Sequence, residues 1–216
     1  MIKTDPKKGN VTLEIGKSEA ILPKSEQVPG EELKDGERIK VYVVDVVNGE
    51  KGPRIMISRT HPGLVKRLFE MEVPEIFDGT IEVKSISREA GSRTKIAVWS
   101  NDENVDPVGA CIGPKGQRVS AIVDELGGEK IDVVKYAGDP AEFIAAALSP
   151  ADVLSVEVDP EGTKVCKVTV PDHQLSLAIG NKGQNARLAA KLTGWKIDIK
   201  PVSYTHLDVY KRQALP

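Results

Sequence analysis

The 216-residue chain holds only two cysteines and three histidines, 4% of it is aromatic, and neither charge dominates, with 30 Lys and Arg against 32 Asp and Glu. Cys111 and Cys166 stand 55 positions apart with no C-x-x-C spacing, and His61, His173 and His206 all lie away from them. Zinc ligation therefore has no ligand set, no metal or cofactor is expected, and the sparse cysteine suits a reducing cytoplasm. With so few rings, any core must be built from Val, Ile, Leu and Ala. The longest wholly apolar run is the six residues 143–148, against the roughly 20 that span a bilayer, and no signal-peptide pattern opens the chain. A cytoplasmic location without membrane contact is expected. The net charge of −2 divides as +1 over residues 1–60, −3 over 61–136, −1 over 137–200 and +1 beyond. No segment offers the broad basic face of a nonspecific duplex-DNA binder, which leaves room for a local groove that takes a few phosphates.

Alternation in Val11–Ile15 (VTLEI), the run RIKVYVVDVV over 38–47 and Arg54–Ile57 predict strands, with a turn at Asn48-Gly49. Pro23, Pro29, Gly30 and Gly36 mark a loop between them, and His61-Pro62-Gly63 ends the strand-rich segment near residue 60. Leu64, Val65, Leu68 and Phe69 then fall at helical spacing, and two strands follow at 79–86 and 94–99. A helical pattern over 105–126 is broken by Gly113-Pro114-Lys115-Gly116, stops at Gly127-Gly128, and gives way to a strand at 130–136.

That order recurs. A helix at 140–148, strands at 153–158 and 164–170, a helix broken by Gly180-Asn181-Lys182-Gly183 and a strand at 196–199 repeat it. Ile112-Gly113 matches Ile179-Gly180 at an offset of 67, and Lys130-Ile131-Asp132-Val133 matches Lys196-Ile197-Asp198-Ile199 at 66. Each copy would lay helices on one face of a small sheet, an α+β architecture in tandem. The tail 202–216 continues neither copy and is expected to be unstructured and an artefact, outside any site.

The repeated loop carries the chemistry. Glycine reaches φ values closed to other residues and, lacking Cβ, lets the backbone come close to a ligand. The helix after each loop offers free N–H groups and the positive end of its dipole, which suit a phosphate. Lys115 and Lys182 hold the same loop position and add a point charge, while Arg118, Arg187 and Lys191 lie in the following turns. From Asp172 to Lys200 five positive residues face two negative ones. A nucleotide-hydrolysing loop is excluded, because Gln117 and Gln184 follow the second glycines and Cys111 and Ala178 stand where the first glycine of GxGxxG would fall. No enzyme activity is expected. Cys111 and Cys166 sit in apolar surroundings and read as buried small hydrophobes. His173 reads as a cap or surface group, and Trp99 and Trp195 as core.

A helix, an IGxxG turn and a second helix resemble the KH domain, in the bacterial type II order. That resemblance implies single-stranded RNA, clamped four nucleotides at a time by the GXXG loop. The residues it implicates are Gly113, Pro114, Lys115, Gly116 and Arg118 in the first copy and Gly180, Asn181, Lys182, Gly183 and Arg187 in the second. Ile112, Val119 and Ile122, or Ile179, Ala186 and Ala189, would wall the groove. More widely, SEAILPKSEQVPGE, PRIMISRTHPGLVKRLFEMEVPEI, DPVGACIGPKGQRV, DPAEFIAAALSPADVLSVEV and LSLAIGNKGQNARLAAKLTGWKIDIK are similar to the NusA family of bacterial transcription factors. The likeness runs from Gly9 to Lys200.

The family resemblance implies a partial OB barrel of the ribosomal-protein S-one type over 1–60, then KH domains over 61–136 and 137–201. It also implies a fragment, without the family's amino-terminal polymerase-binding domain or the first barrel strand, so that the barrel's edge is open unless residues 1–8 cover it. Tyr42 is the only aromatic over 1–60, and OB folds lean on base stacking to hold single strands, which weakens the case for RNA there. The implied function is binding of nascent RNA by a monomer that acts with RNA polymerase in pausing, termination and antitermination. The alternative is a scaffold for polymerase or other antitermination factors with RNA secondary.

Overall fold

A computed structural model describes residues 2–4, 9–49, 52–159 and 161–204. These fall into two compact units. The first takes in the described residues up to Asp78 with Arg88–Thr94 and Cys111–Ile131, and the second takes in Gly79–Ser87, Lys95–Ala110 and the described residues from Asp132 onward. From 205 the tail expected at 202–216 lies outside the described residues.

The first unit opens with strands. β1 (Ile2–Thr4) pairs antiparallel with β2 (Val11–Ile15), and β2 pairs with β3 (Ser18–Leu22). The edge of β2 expected to be open is thus met by β1, with Thr4 opposite Val11 and Ile2 opposite Leu13. Alternate residues Val11 and Leu13 of β2 and Ala20 and Leu22 of β3 point into one small core with Ile57, as a period of two requires. A separate hairpin joins β4 (Tyr42–Gly49) to β5 (Gly52–Ser58).

Asn48 and Gly49 are not the turn but the last ladder positions, opposite Pro53 and Gly52, and residues 50–51 lie outside the described residues. The strand expected from residue 38 begins only at Tyr42. Side chains hold the Lys40 backbone instead of a ladder, since its N–H donates to Glu125 Oε1 at 3.2 Å and its carbonyl accepts from Arg59 Nη1 at 2.5 Å.

Buried arginines organise the rest of this unit. Arg59, 1% exposed, pairs with Glu31 through both Nε and Nη2 and also donates to the Glu125 carbonyl. Arg88 grips Glu129 with two bonds of 2.9 Å while its Nη1 donates to the carbonyls of Arg59 and His61. Burial by itself would push the Glu129 carboxyl up, but the bonds from Arg88 and Thr94, the Arg88 charge and the Gly91 N–H together hold it below its ordinary value. α1 (Pro62–Glu72) starts where His61 Nδ1 accepts from the Gly63 N–H at 2.9 Å with Pro62 at the first helical position. It buries Leu64, Val65, Leu68 and Phe69, and α2 (Pro74–Phe77) follows at once.

β6 (Ile81–Glu89), β7 (Arg93–Ser100) and β8 (Lys130–Lys135) form a three-stranded sheet. Between its last two strands the chain runs through α3 (Pro107–Ile112) and α4 (Gln117–Glu125). In the second unit α5 (Pro140–Ala147) is capped by Asp139, whose carboxylate accepts from the Glu142 N–H at 3.0 Å. β10 (Val165–Val170) then lies between β9 (Ser155–Val158), antiparallel, and β11 (Lys196–Pro201), parallel. α6 (Leu175–Ile179) and α7 (Gln184–Thr193) separate β10 from β11. Ile144, Ala147 and Leu148, then Cys166, Val168 and Val170 from β10, with Ala178, Ala189 and Leu192, close an aliphatic core. The fold is α+β.

Candidate nucleic-acid interface

α3 cannot run on into α4, nor α6 into α7, because three of the four residues between them take positive φ. Gly113 has φ 75, ψ 172, and Gly180 has 78, 171. Lys115 has 53, 25, and Lys182 has 51, 29. Gly116 and Gly183, which cap the following helices, have 75, 12 and 76, 15. At these three positions the two loops therefore agree within a few degrees. Each is closed by the same bond, from the N–H of Gly116 to the carbonyl of Gly113 at 3.0 Å and from that of Gly183 to that of Gly180 at 3.1 Å.

A φ near +75° with ψ near 170° is open in practice only to glycine, and at Gly180 a side chain is also blocked by space. A Cβ there would lie 2.7 Å from the Asn185 backbone nitrogen. Lys115 and Lys182 also sit at positive φ, where L-residues are uncommon. Both lysines are exposed, and among the described residues neither pairs with a carboxylate.

The arginines differ. Arg118 is second in α4, its stem lies where a Gly113 Cβ would fall, and its Nη1 donates to Glu75 at 3.0 Å. Arg187 is exposed and reaches back to the Lys182 carbonyl at 3.1 Å. They do not occupy matching places, because an offset of 67 from Arg118 lands on Asn185. Asn185 is 1% exposed, and its amide donates to the carbonyls of Leu148 and Ala178, each at 3.0 Å. Glu75 and Asn185 are the two residues the sequence reading missed. The repeat offset was the signal that could have found Asn185, whereas Glu75 lies on a helix of one turn with no periodicity.

The expected groove walls divide. Ile112 and Ile179 are 37% and 38% exposed and Val119 and Ala186 are partly exposed, but Ile122 and Ala189 are fully buried and belong to the cores. Lys191 sits in the last turn of α7, about 12 Å along the axis from Gly183. His173 is exposed and both cysteines are buried, and burial, with the Asp198 charge, pushes the Cys166 thiol up and away from the thiolate. Trp195 packs against the second core. Trp99 departs from expectation: it is 39% exposed, with its ring edge-on to Tyr136.

Residues 59–136 match the family model of the NusA-like first KH domain, and residues 140–206 that of the NusA-like second KH domain. The chain is 61% identical over 204 residues to the transcription termination/antitermination protein NusA of Bacillus subtilis, covering 94% of this chain and 55% of that one. To its namesake in Mycobacterium tuberculosis it is 55% identical, over 89% of this chain and 57% of that protein. To that of Thermus thermophilus it is 51% identical, over 96% and 53%. The chain spans about half the length of the curated relatives it matches. With two matched loops on tandem KH units, both family models and these identities, the chain belongs to the NusA family.

Proposed function

We propose that the chain binds single-stranded RNA at its two GXXG loops, with Gly113, Pro114, Lys115, Gly116 and Arg118 forming one site and Gly180, Asn181, Lys182, Gly183 and Arg187 the other. The observation that supports this best is that two loops 67 residues apart hold the same left-handed backbone and each present an exposed lysine beside a helix start. A glycine at each end lets a nucleotide backbone approach, the helix N–H groups and the lysine meet its phosphates, and Ile112 or Ile179 offers an apolar rest for a base. Two four-nucleotide sites on one chain raise affinity through effective concentration. The domain division is 1–60, 61–136 and 137–201. The RNA is a nascent transcript and the further partners are RNA polymerase and antitermination factors, in line with the termination and antitermination named for the relatives. No catalysis is involved.

A second reading, a protein scaffold, draws on Phe77 and Met71, which are 82% and 65% exposed beside each other in α1 and α2. Fluorescence anisotropy of a labelled, unstructured RNA of about ten nucleotides, two four-nucleotide sites with a short spacer, separates the two. The full chain should bind saturably, and the variant with Pro114, Lys115, Asn181 and Lys182 all replaced by Asp should not. Equal binding by both would refute the loop sites.

A further inference from the structure

The second residue of the helix leaving each loop reaches the segment before the first strand of its copy, but at different positions and by different chemistry. Counting back six residues from Ile81-Glu82-Val83 and from Val156-Glu157-Val158 aligns Glu75 with Pro150, so the segment that carries Glu75 corresponds to the one at Leu148–Pro150. In the first copy that segment meets Arg118 through the Glu75 carboxylate, with the two side chains 32% and 27% exposed. In the second copy it meets Asn185 through the Leu148 carbonyl, buried and uncharged. The second copy thus holds its segment without a charge at the position of Glu75.

Building on the RNA reading above, we infer that Glu75 is an electrostatic brake on the first GXXG loop, which makes the second loop the stronger phosphate site. Arg118 lies across Gly113 with its guanidinium held by a carboxylate. A phosphate arriving at Gly113 meets the Glu75 charge as well as those of Lys115 and Arg118, and shares the guanidinium with it. The site is open to water, so the opposing charge acts through a high dielectric and within a Debye length. At a separation of about 7 Å that amounts to roughly threefold in affinity for each unit of charge at low salt. The second loop has Pro150 at the corresponding place and carries no such opposition from it.

The test uses the full chain and the ten-nucleotide RNA in two backgrounds. With Asn181→Asp and Lys182→Asp, only the first loop is intact, and there Glu75→Gln should tighten binding about threefold and Glu75→Lys about tenfold, both gains shrinking as salt is raised. With Pro114→Asp and Lys115→Asp, only the second loop is intact, and neither change at Glu75 should move the affinity. Unchanged or weaker binding in the first background, or a fall in melting temperature that accompanies weaker binding, would make Glu75 a structural contact and overturn the brake alone. Absence of RNA binding by the unsubstituted chain would overturn the RNA reading and the brake together.

Discussion

The two KH copies hold the same loop in different ways, and the difference separates what the loop needs from what surrounds it. Their backbone angles agree within a few degrees at Gly113, Lys115 and Gly116 and at Gly180, Lys182 and Gly183. The first is braced by a partly exposed ion pair, Arg118 to Glu75, and the second by a buried amide, Asn185. Glycine at both ends and lysine at the third position are common to both. The brace is not. Backbone shape and an outward lysine are therefore the shared requirement, and the electrostatics around them can be set separately in each copy.

The largest expected effect comes from erasing what the copies share. Asp at 114 and 115, or at 181 and 182, should weaken RNA binding by at least about tenfold, and both pairs together by more than about a hundredfold, because two linked sites lose their mutual reinforcement. Anisotropy titrations measure this.

Removing either partner of the buried Arg88–Glu129 pair would strip the first copy of an anchor that the second copy's core does without. Glu129→Ala should cost about 3–5 kcal/mol, read by denaturant melts. Because the folded state holds the Glu129 carboxyl below its ordinary value, its contribution is present above the unfolded carboxyl value of about 4.3 and is lost as pH falls through the lower folded one. Acid melts of Glu129→Gln should show a shallower fall in stability below about pH 4.3 than the parent does.

The braces themselves sharpen the contrast. Asn185→Ala leaves two buried carbonyls short of a donor and should cost about 1–3 kcal/mol, while Arg118→Ala should cost about 1 kcal/mol or less, as exposed pairs do. The smallest difference is expected between glycines. Gly113→Ala and Gly180→Ala both force a side chain into glycine-only backbone, at about 1–3 kcal/mol. Gly180→Ala should be the worse because its Cβ meets the Asn185 backbone, whereas that of Gly113 meets the flexible Arg118 stem. Thermal melts should rank them in that order.

The repeat is legible in the sequence because glycines recur at a fixed offset and the first of each loop sits in backbone open in practice only to glycine. The helix start at Pro140 is equally open, whereas His61-Pro62-Gly63, which reads as the end of the strands, also caps and opens α1. What stayed hidden depends on tertiary partners. Arg118 and Arg187 look alike in sequence, yet one crosses a glycine to a carboxylate and the other folds back on its own loop. β3 carries only Ala20 and Leu22 as buried positions and lies in a segment that reads as loop, and α2, at four residues, is too short for a period. The apolar run of β4 reads as a strand, but among the described residues it pairs with β5 alone, and Val43, Val44, Val46 and Val47 are all exposed.

The most direct test of RNA binding at the loops is the amide spectrum of the nitrogen-15-labelled chain titrated with the ten-nucleotide RNA. The glycine signals of Gly113, Gly116, Gly180 and Gly183 should move together and saturate with the anisotropy curve, while those of Gly30, Gly36 and Gly49 in the strand-rich segment stay in place. Still loop glycines, with shifts confined to the β4–β5 hairpin or to the α1–α2 surface around Phe77, would contradict the account.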